Sequence, residues 1–238
     1  ALVELVANAW DAYATRVDIT WPSDTQAFEI KDNGKGMTEE ELNARWRRFN
    51  YNRVSELGEL TDPPEDLPGH RPRRAFGRNG KGRYAAFCFS SPFDVEIGKD
   101  GLKCRFRLNR TPHLPLPFSI EKVHEEESQW RGFRILGEEE RPVGMSADMA
   151  RSVLSTRFLT NPEFEVYVEG QKVTFADLPE HGVETIPVQI DAENSVEMVV
   201  IDSEKTDRTT KQHGIAWWVN KRLVGECNWR NFEDQSVL

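Results

Sequence analysis

The chain contains no apolar run near the ~20 residues that a membrane-spanning helix needs, and no leader with a basic start and an apolar middle. A helical membrane span is thereby excluded, and no membrane partner is expected. The sequence opens at Ala1, inside a stretch of helical spacing and without an initiator methionine, so a truncated N-terminus is expected. Cysteine is scarce: Cys88, Cys104 and Cys227 form no C-x-x-C pair. An odd, scattered set of thiols excludes a disulfide framework and a thiolate zinc site, and suits a reducing, cytoplasmic setting. Repeats and low-complexity tracts are absent, which excludes solenoid architectures. A positive surplus is also lacking. The net charge is −9, so the chain as a whole is no nucleic-acid clamp built on bulk charge.

What is present is an ordinary globular balance, 38% hydrophobic and 30% charged over 238 residues, enough for one large domain or two small ones. Apolar residues Leu2, Leu5, Val6, Ala9, Trp10 and Tyr13 recur at helical spacing over 1–14. "RVDITW" and "AFEIKD" alternate like two strands joined by the turn "PSDTQ". Thr38 followed by Glu41 reads as a capping box opening a helix of about ten residues. Residues 56–74 are rich in proline and charge, show no period, and are expected as a long loop. "GRNGKG" is expected to lead into a helix over "RYAAFCF". "FDVEIG", "LKCRFRL", "FSIEKVH" and "GFRILG" read as strands, 146–158 as a helix, and "EFEVYVEGQKV", "VEMVVID" and "GIAWWVNKRLV" as strands again. A composition break near 178–187 suggests a domain boundary, giving domains 1–180 and 181–238.

Three short pieces carry chemistry. Glu4, Asn8 and Asp11, spaced by four and three residues, share one helical face beside the apolar stripe. Alone, such a triplet is usually a solvated polar face. "DNGKGM" places Asp32 at a strand end, followed by Gly34 and Gly36, which allow backbone angles and close approach closed to other residues. Alone, this is an ordinary turn. "GRNGKG" sets Gly77, Gly80 and Gly82 just before a helix, where backbone N–H groups can face phosphate. Residues 70–83 hold six basic residues and no acid, which favours an anion site over a merely solvated stretch.

The order of the pieces says more than any one of them. A helix with E-x-x-x-N-x-x-D-A, then D-x-G-x-G-M, a basic variable loop, and G-x-x-G-x-G before a helix resembles the GHKL ATPases. That superfamily includes DNA gyrase B, the ninety-kilodalton heat-shock chaperone, histidine kinases and MutL. The resemblance implies an α+β fold: a two-layer sandwich of mixed sheet and helices (the Bergerat fold), followed by a smaller αβ transducer-like domain, possibly incomplete. It implies ATP and Mg2+ as cofactors. Asn8 becomes the metal ligand and Glu4 the group that polarises the attacking water. Asp32 becomes the acceptor for the adenine amino group, with Met37 beside the ring. Asp11, Gly34 and Gly36 join the nucleotide site, and Gly77, Arg78, Asn79, Gly80, Lys81 and Gly82 wrap the phosphates.

One position departs from the pattern. "RGFRIL" has Phe133 where the family often has threonine, which costs a polar contact near the base. The strands that follow distinguish the chain from histidine kinases, and the closest likeness is to MORC-type ATPases. The resemblance implies slow hydrolysis, a lid at about 45–76 that closes over nucleotide, and a nucleotide-dependent homodimer. Any DNA contact is expected from regions outside this chain. The lid's basic ends, among them Arg71, Arg73 and Arg74, are expected to repel one another without nucleotide. A chaperone-like machine and an interaction module with negligible turnover stay open as alternatives.

Overall fold

The computed structural model describes residues 1–21, 27–48, 58–67, 70, 72–76, 82–111, 117–138, 145–158, 163–174, 183–191, 194–201, 215–219 and 222–228. Helix α1 (Leu2–Asp11) buries Leu2, Leu5, Val6, Ala9 and Trp10, the stripe that its three- and four-residue spacing creates. It stops at Tyr13, which takes φ +60, a left-handed angle that more often calls for glycine. The Tyr13 N–H bonds to the Trp10 carbonyl and the Ala14 N–H to that of Ala9. Tyr13 tolerates the angle because its ring is wholly buried, with the Arg73 guanidinium 4.0 Å from its centre.

Strands β1 (Arg16–Thr20) and β2 (Ala27–Asp32) are antiparallel, and each buries alternate residues. Helix α2 (Glu39–Trp46) starts at the expected capping box. Glu41 N–H bonds to Thr38 Oγ1 at 3.3 Å, and Thr38 N–H bonds to Glu41 Oε2 at 2.9 Å. The stretch expected as a bare loop contains a small ladder, β3 (Leu60–Thr61) against β4 (Arg73–Arg74). Strands of two residues are too short to show a period. The expected helix after the glycine-rich segment is a 3-10 helix (Gly82–Cys88), which stacks buried Arg83 and Ala86 three residues apart on its inner side.

β5 (Phe93–Lys99), β6 (Leu102–Arg110), β7 (Phe118–Glu127) and β8 (Gly132–Glu138) are antiparallel, as their alternation predicts. Helix α3 (Ala147–Phe158) leads to β9 (Glu165–Val168) and β10 (Gln171–Lys172). These strands and β1–β2 form one eight-stranded sheet in the order β10-β9-β1-β2-β8-β5-β6-β7, with β1 and β9 parallel and the other pairs antiparallel. Val17, Ile19, Phe28, Ile30, Val95, Ile97, Phe106 and Ile135 project to one face and form a continuous core with the helices. This is the two-layer α+β arrangement expected. Along β5 the alternate residues Asp94 and Glu96 face the other way, only 4% and 5% exposed, under arginines instead of a second apolar layer. Arg105 and Arg107 each bring Nε to 2.8 Å from Asp94, and Arg134 Nη1 lies 3.1 Å from Glu96. Burial alone would raise the Asp94 carboxyl; Arg107 and Arg105 outweigh it and hold the group below its usual range.

Beyond this sheet lie two hairpins, β11 (Val183–Gln189) with β12 (Ser195–Ile201) and β13 (Ile215–Val219) with β14 (Arg222–Asn228). β11 falls where the sequence suggests a break. Pro187 disguises it, since proline is tolerated only where a strand lacks a neighbour on the N–H side.

Candidate nucleotide site

Residues 1–14 and 32–37 meet because the glycine turn is clipped to the end of α1. The Lys35 N–H bonds to the Ala12 carbonyl at 2.8 Å, and Asn33 Oδ1 accepts the N–H groups of Thr15 and Arg16 at 2.9 Å each. A Cβ on Gly34 would lie 2.8 Å from the Ala12 carbonyl oxygen, so only glycine allows this approach. Gly36 has φ +64, and a side chain there would overlap the Gly98 carbonyl. Gly132, with φ +145, presses on the Asp32 carbonyl in the same way. Three strands' worth of backbone thus converge at Asp32.

Asp32 ends β2 on the helix side and is 7% exposed. Its Oδ1 accepts the Gly34 N–H at 2.8 Å, and the Phe133 N–H also points to its carboxyl. Burial pushes this carboxyl up to about 7, against those two N–H groups, which favour the ionised form. Met37 is half-buried against the core nearby. The Phe133 ring stacks on Trp46 with centroids 6.0 Å apart and planes 25° apart. Phenylalanine at this position therefore joins an aromatic wall while its backbone serves Asp32.

Glu4 and Asn8 lie one turn apart on α1, and Gly82 meets them. A Cβ on Gly82 would sit 2.7 Å from Glu4 Oε2 and 3.5 Å from Asn8 Oδ1. Among the described residues, no hydrogen bond or ion pair occupies either side chain. A carboxylate and a neutral amide oxygen are thus left available where the glycine-rich segment joins the 3-10 helix. Asp11, on the same face, has a partner: the Phe76 N–H bonds to its Oδ1 at 2.7 Å. Gly77, Arg78, Asn79, Gly80 and Lys81 lie outside the described residues.

The sequence reading missed Gly98 and Gly132, isolated glycines in strand patterns, a signal of close backbone approach. It also misjudged Arg73. That guanidinium is buried between the rings of Trp10 and Tyr13, 4.5 and 4.0 Å from their centres, and donates to the carbonyls of Ala14 and Glu163. Arg73 is a structural bolt and no part of a mutually repelling lid charge.

Residues 1–113 match the family described as histidine kinase-, DNA gyrase B-, and HSP90-like ATPase. Residues 1–113, just under half of the chain, thus carry the pattern of GHKL-type ATPases. The chain is similar in structure to the ATPase region of Saccharomyces cerevisiae topoisomerase II, with a TM-score of 0.52 and 15% identity over 82% of this chain and 56% of that one. The same region bound to ICRF-187 (dexrazoxane) matches with the same TM-score and 16% identity. Over 108 residues the chain is 33% identical to a Herpetosiphon aurantiacus protein named "Putative type II restriction enzyme HgiDII", covering 45% of this chain and 16% of that protein. The chain thus spans about half of the yeast ATPase region and a sixth of the bacterial relative. Among the described residues, no helix is long and apolar enough to cross a membrane.

Proposed function

We propose that this chain binds ATP with Mg2+ and hydrolyses it slowly, as the switching part of a larger machine. The observation that carries the reading is the meeting of Glu4, Asn8 and Gly82 at one point of α1, with buried Asp32 on the turn clipped to the same helix. Asp32 takes the adenine amino group, an assignment its depth in the fold suits, because a buried acceptor rejects ligands that bring no donor. Asn8 Oδ1 is a hard, neutral oxygen of the kind Mg2+ takes when most other ligands are phosphate and water. The ion, when bound, neutralises charge on the phosphates. Glu4 orients and deprotonates the attacking water.

The output is conformational. A lid at about 45–76 closes over the nucleotide and promotes association of two copies. Asp66, within that segment, supports this role by pairing bidentately with Arg131, next to Gly132 of the Asp32 site, at 2.8 and 2.9 Å. Residues 1–180 form the nucleotide domain, and 181–238, with their separate hairpins, belong to a transducer-like unit. The likeness to a protein named as a restriction enzyme favours a DNA-directed, MORC-like setting over a chaperone with protein clients.

The test is Glu4→Ala. It should keep ATP affinity and lose turnover by about 10²–10⁴-fold, the scale for a lost general base. Hydrolysis at the parent rate would overturn the assignment. Sedimentation of the Glu4→Ala protein in ATP and in ADP tests association; equal mass in both would remove the switching role and leave the nucleotide site standing.

A further inference from the structure

Asp11 sits one turn beyond Asn8 on the site face of α1. The resemblance counts it among nucleotide-binding residues, yet its Oδ1 accepts the Phe76 N–H at 2.7 Å. Phe76 is the residue that enters the glycine-rich stretch 77–81. Its ring is held independently, edge-on to Trp10 at 5.8 Å and tilted against Phe158 at 5.4 Å. At the far end of the same stretch, Gly82 packs against Glu4 and Asn8. The two residues that flank the glycine-rich stretch, Phe76 and Gly82, therefore meet α1 two turns apart, at Asp11 and at Glu4.

We infer that Asp11 is a positioning residue: through the Phe76 N–H it fixes where the phosphate-wrapping segment begins, and it does not itself touch nucleotide or metal. The inference rests on the ATP-binding reading above. The physical need is plain. Glycine-rich backbone costs more entropy to order than any other, so its N–H groups can converge on an anion only if both ends are fixed beforehand. A carboxylate is the strongest side-chain acceptor for a backbone N–H, and its bond is charge-assisted. An amide oxygen accepts the same bond in the same geometry, whereas a metal or phosphate contact depends on the negative charge.

The experiment compares Asp11→Asn and Asp11→Ala with the parent protein, titrating ATP with magnesium and, separately, adenosine, which lacks phosphates. Asp11→Ala should weaken ATP by about tenfold or more, the order set by one charge-assisted hydrogen bond, and leave adenosine within about twofold. Asp11→Asn should rescue ATP binding to within about threefold. If Asp11→Asn fails as badly as Asp11→Ala, the charge itself meets the ligand and the positioning role is wrong. Equal loss for adenosine and ATP would mean general damage and also overturn it. Amide exchange of Phe76 without ligand supplies a readout independent of nucleotide. Phe76 should be protected in the parent and in Asp11→Asn, and exposed in Asp11→Ala. A fast-exchanging Phe76 in the parent refutes the anchor even if no nucleotide binds, while a protected Phe76 with no ATP binding refutes only the ATP reading.

Discussion

Replacing Asp32 by asparagine should stabilise the ligand-free protein, and more so at higher pH. The carboxyl is raised from an ordinary 3.8 to about 7 by burial, so folding makes it harder to ionise. Below the unfolded value both states are protonated and the group costs nothing. As pH rises through 3.8 the unfolded chain ionises first, and the folded state falls behind until about pH 7, above which the cost is constant. At about 1.4 kcal/mol per pH unit, the penalty is about 2 kcal/mol at pH 5 and about 4 kcal/mol at pH 8. Asparagine keeps an oxygen for the N–H groups of Gly34 and Phe133 and never ionises. Its amide NH2 lacks the acceptor that a buried donor wants, an offset independent of pH. The decisive quantity is therefore the change in the stability difference, about 2–3 kcal/mol between pH 5 and pH 8 in favour of the variant. Urea denaturation of both ligand-free proteins at the two pH values measures it. A difference that does not move with pH would show that Asp32 ionises freely in the fold and would remove the argument from burial. Adenosine affinity should move oppositely, falling in the variant, because the base amino group gains most from a charged acceptor.

Gly36→Ala should cost more than about 3 kcal/mol, since a left-handed φ penalises any Cβ by about 1–2 kcal/mol and this one also meets the Gly98 backbone; chemical denaturation checks it, and an unchanged midpoint would refute the packing. Arg73→Met should lose about 3 kcal/mol despite similar volume, because the carbonyls of Ala14 and Glu163 lose charged donors and two rings lose a cation. A denaturation midpoint equal to the parent's would show Arg73 to be an ordinary solvated lid residue.

The site's helix was legible because the apolar stripe and the polar triplet of α1 share one period of 3.6, and both survive folding intact. The capping box at Thr38 and Glu41 was legible for a similar reason: its two bonds lie within four residues. Gly34 and Gly36 carried a signal as neighbours of Asp32, but the reason glycine is required there lies in Ala12 and Gly98, which no local pattern reveals. Arg73 was misread because charge in a proline-broken segment normally means solvent. Its burial depends on Trp10 and Tyr13 from the start of the chain and on Glu163 from far beyond it. Asp11 was legible as part of the polar face of α1, while its partner was not, since a backbone N–H has no letter of its own in a sequence.

The parallel pairing of β1 with β9 decides when this module can exist. Arg16 faces Glu165 across that ladder, and the Trp21 N–H bonds to Glu169, 148 residues away in the chain. During synthesis α1 emerges well before Leu154, Phe158, Phe164, Val166 and Val168, which the core beneath it needs. Contacts so far apart in sequence close slowly. A nascent chain therefore presents Trp10, Val17 and Ile19 to solvent until nearly all of the eight-stranded sheet has left the ribosome. A fragment cut at residue 113, where the family match ends, would keep Glu4, Asn8, Asp32 and Gly82 in its sequence and still lack β8, α3 and β9. A piece that keeps the whole of this buried core runs to Val173.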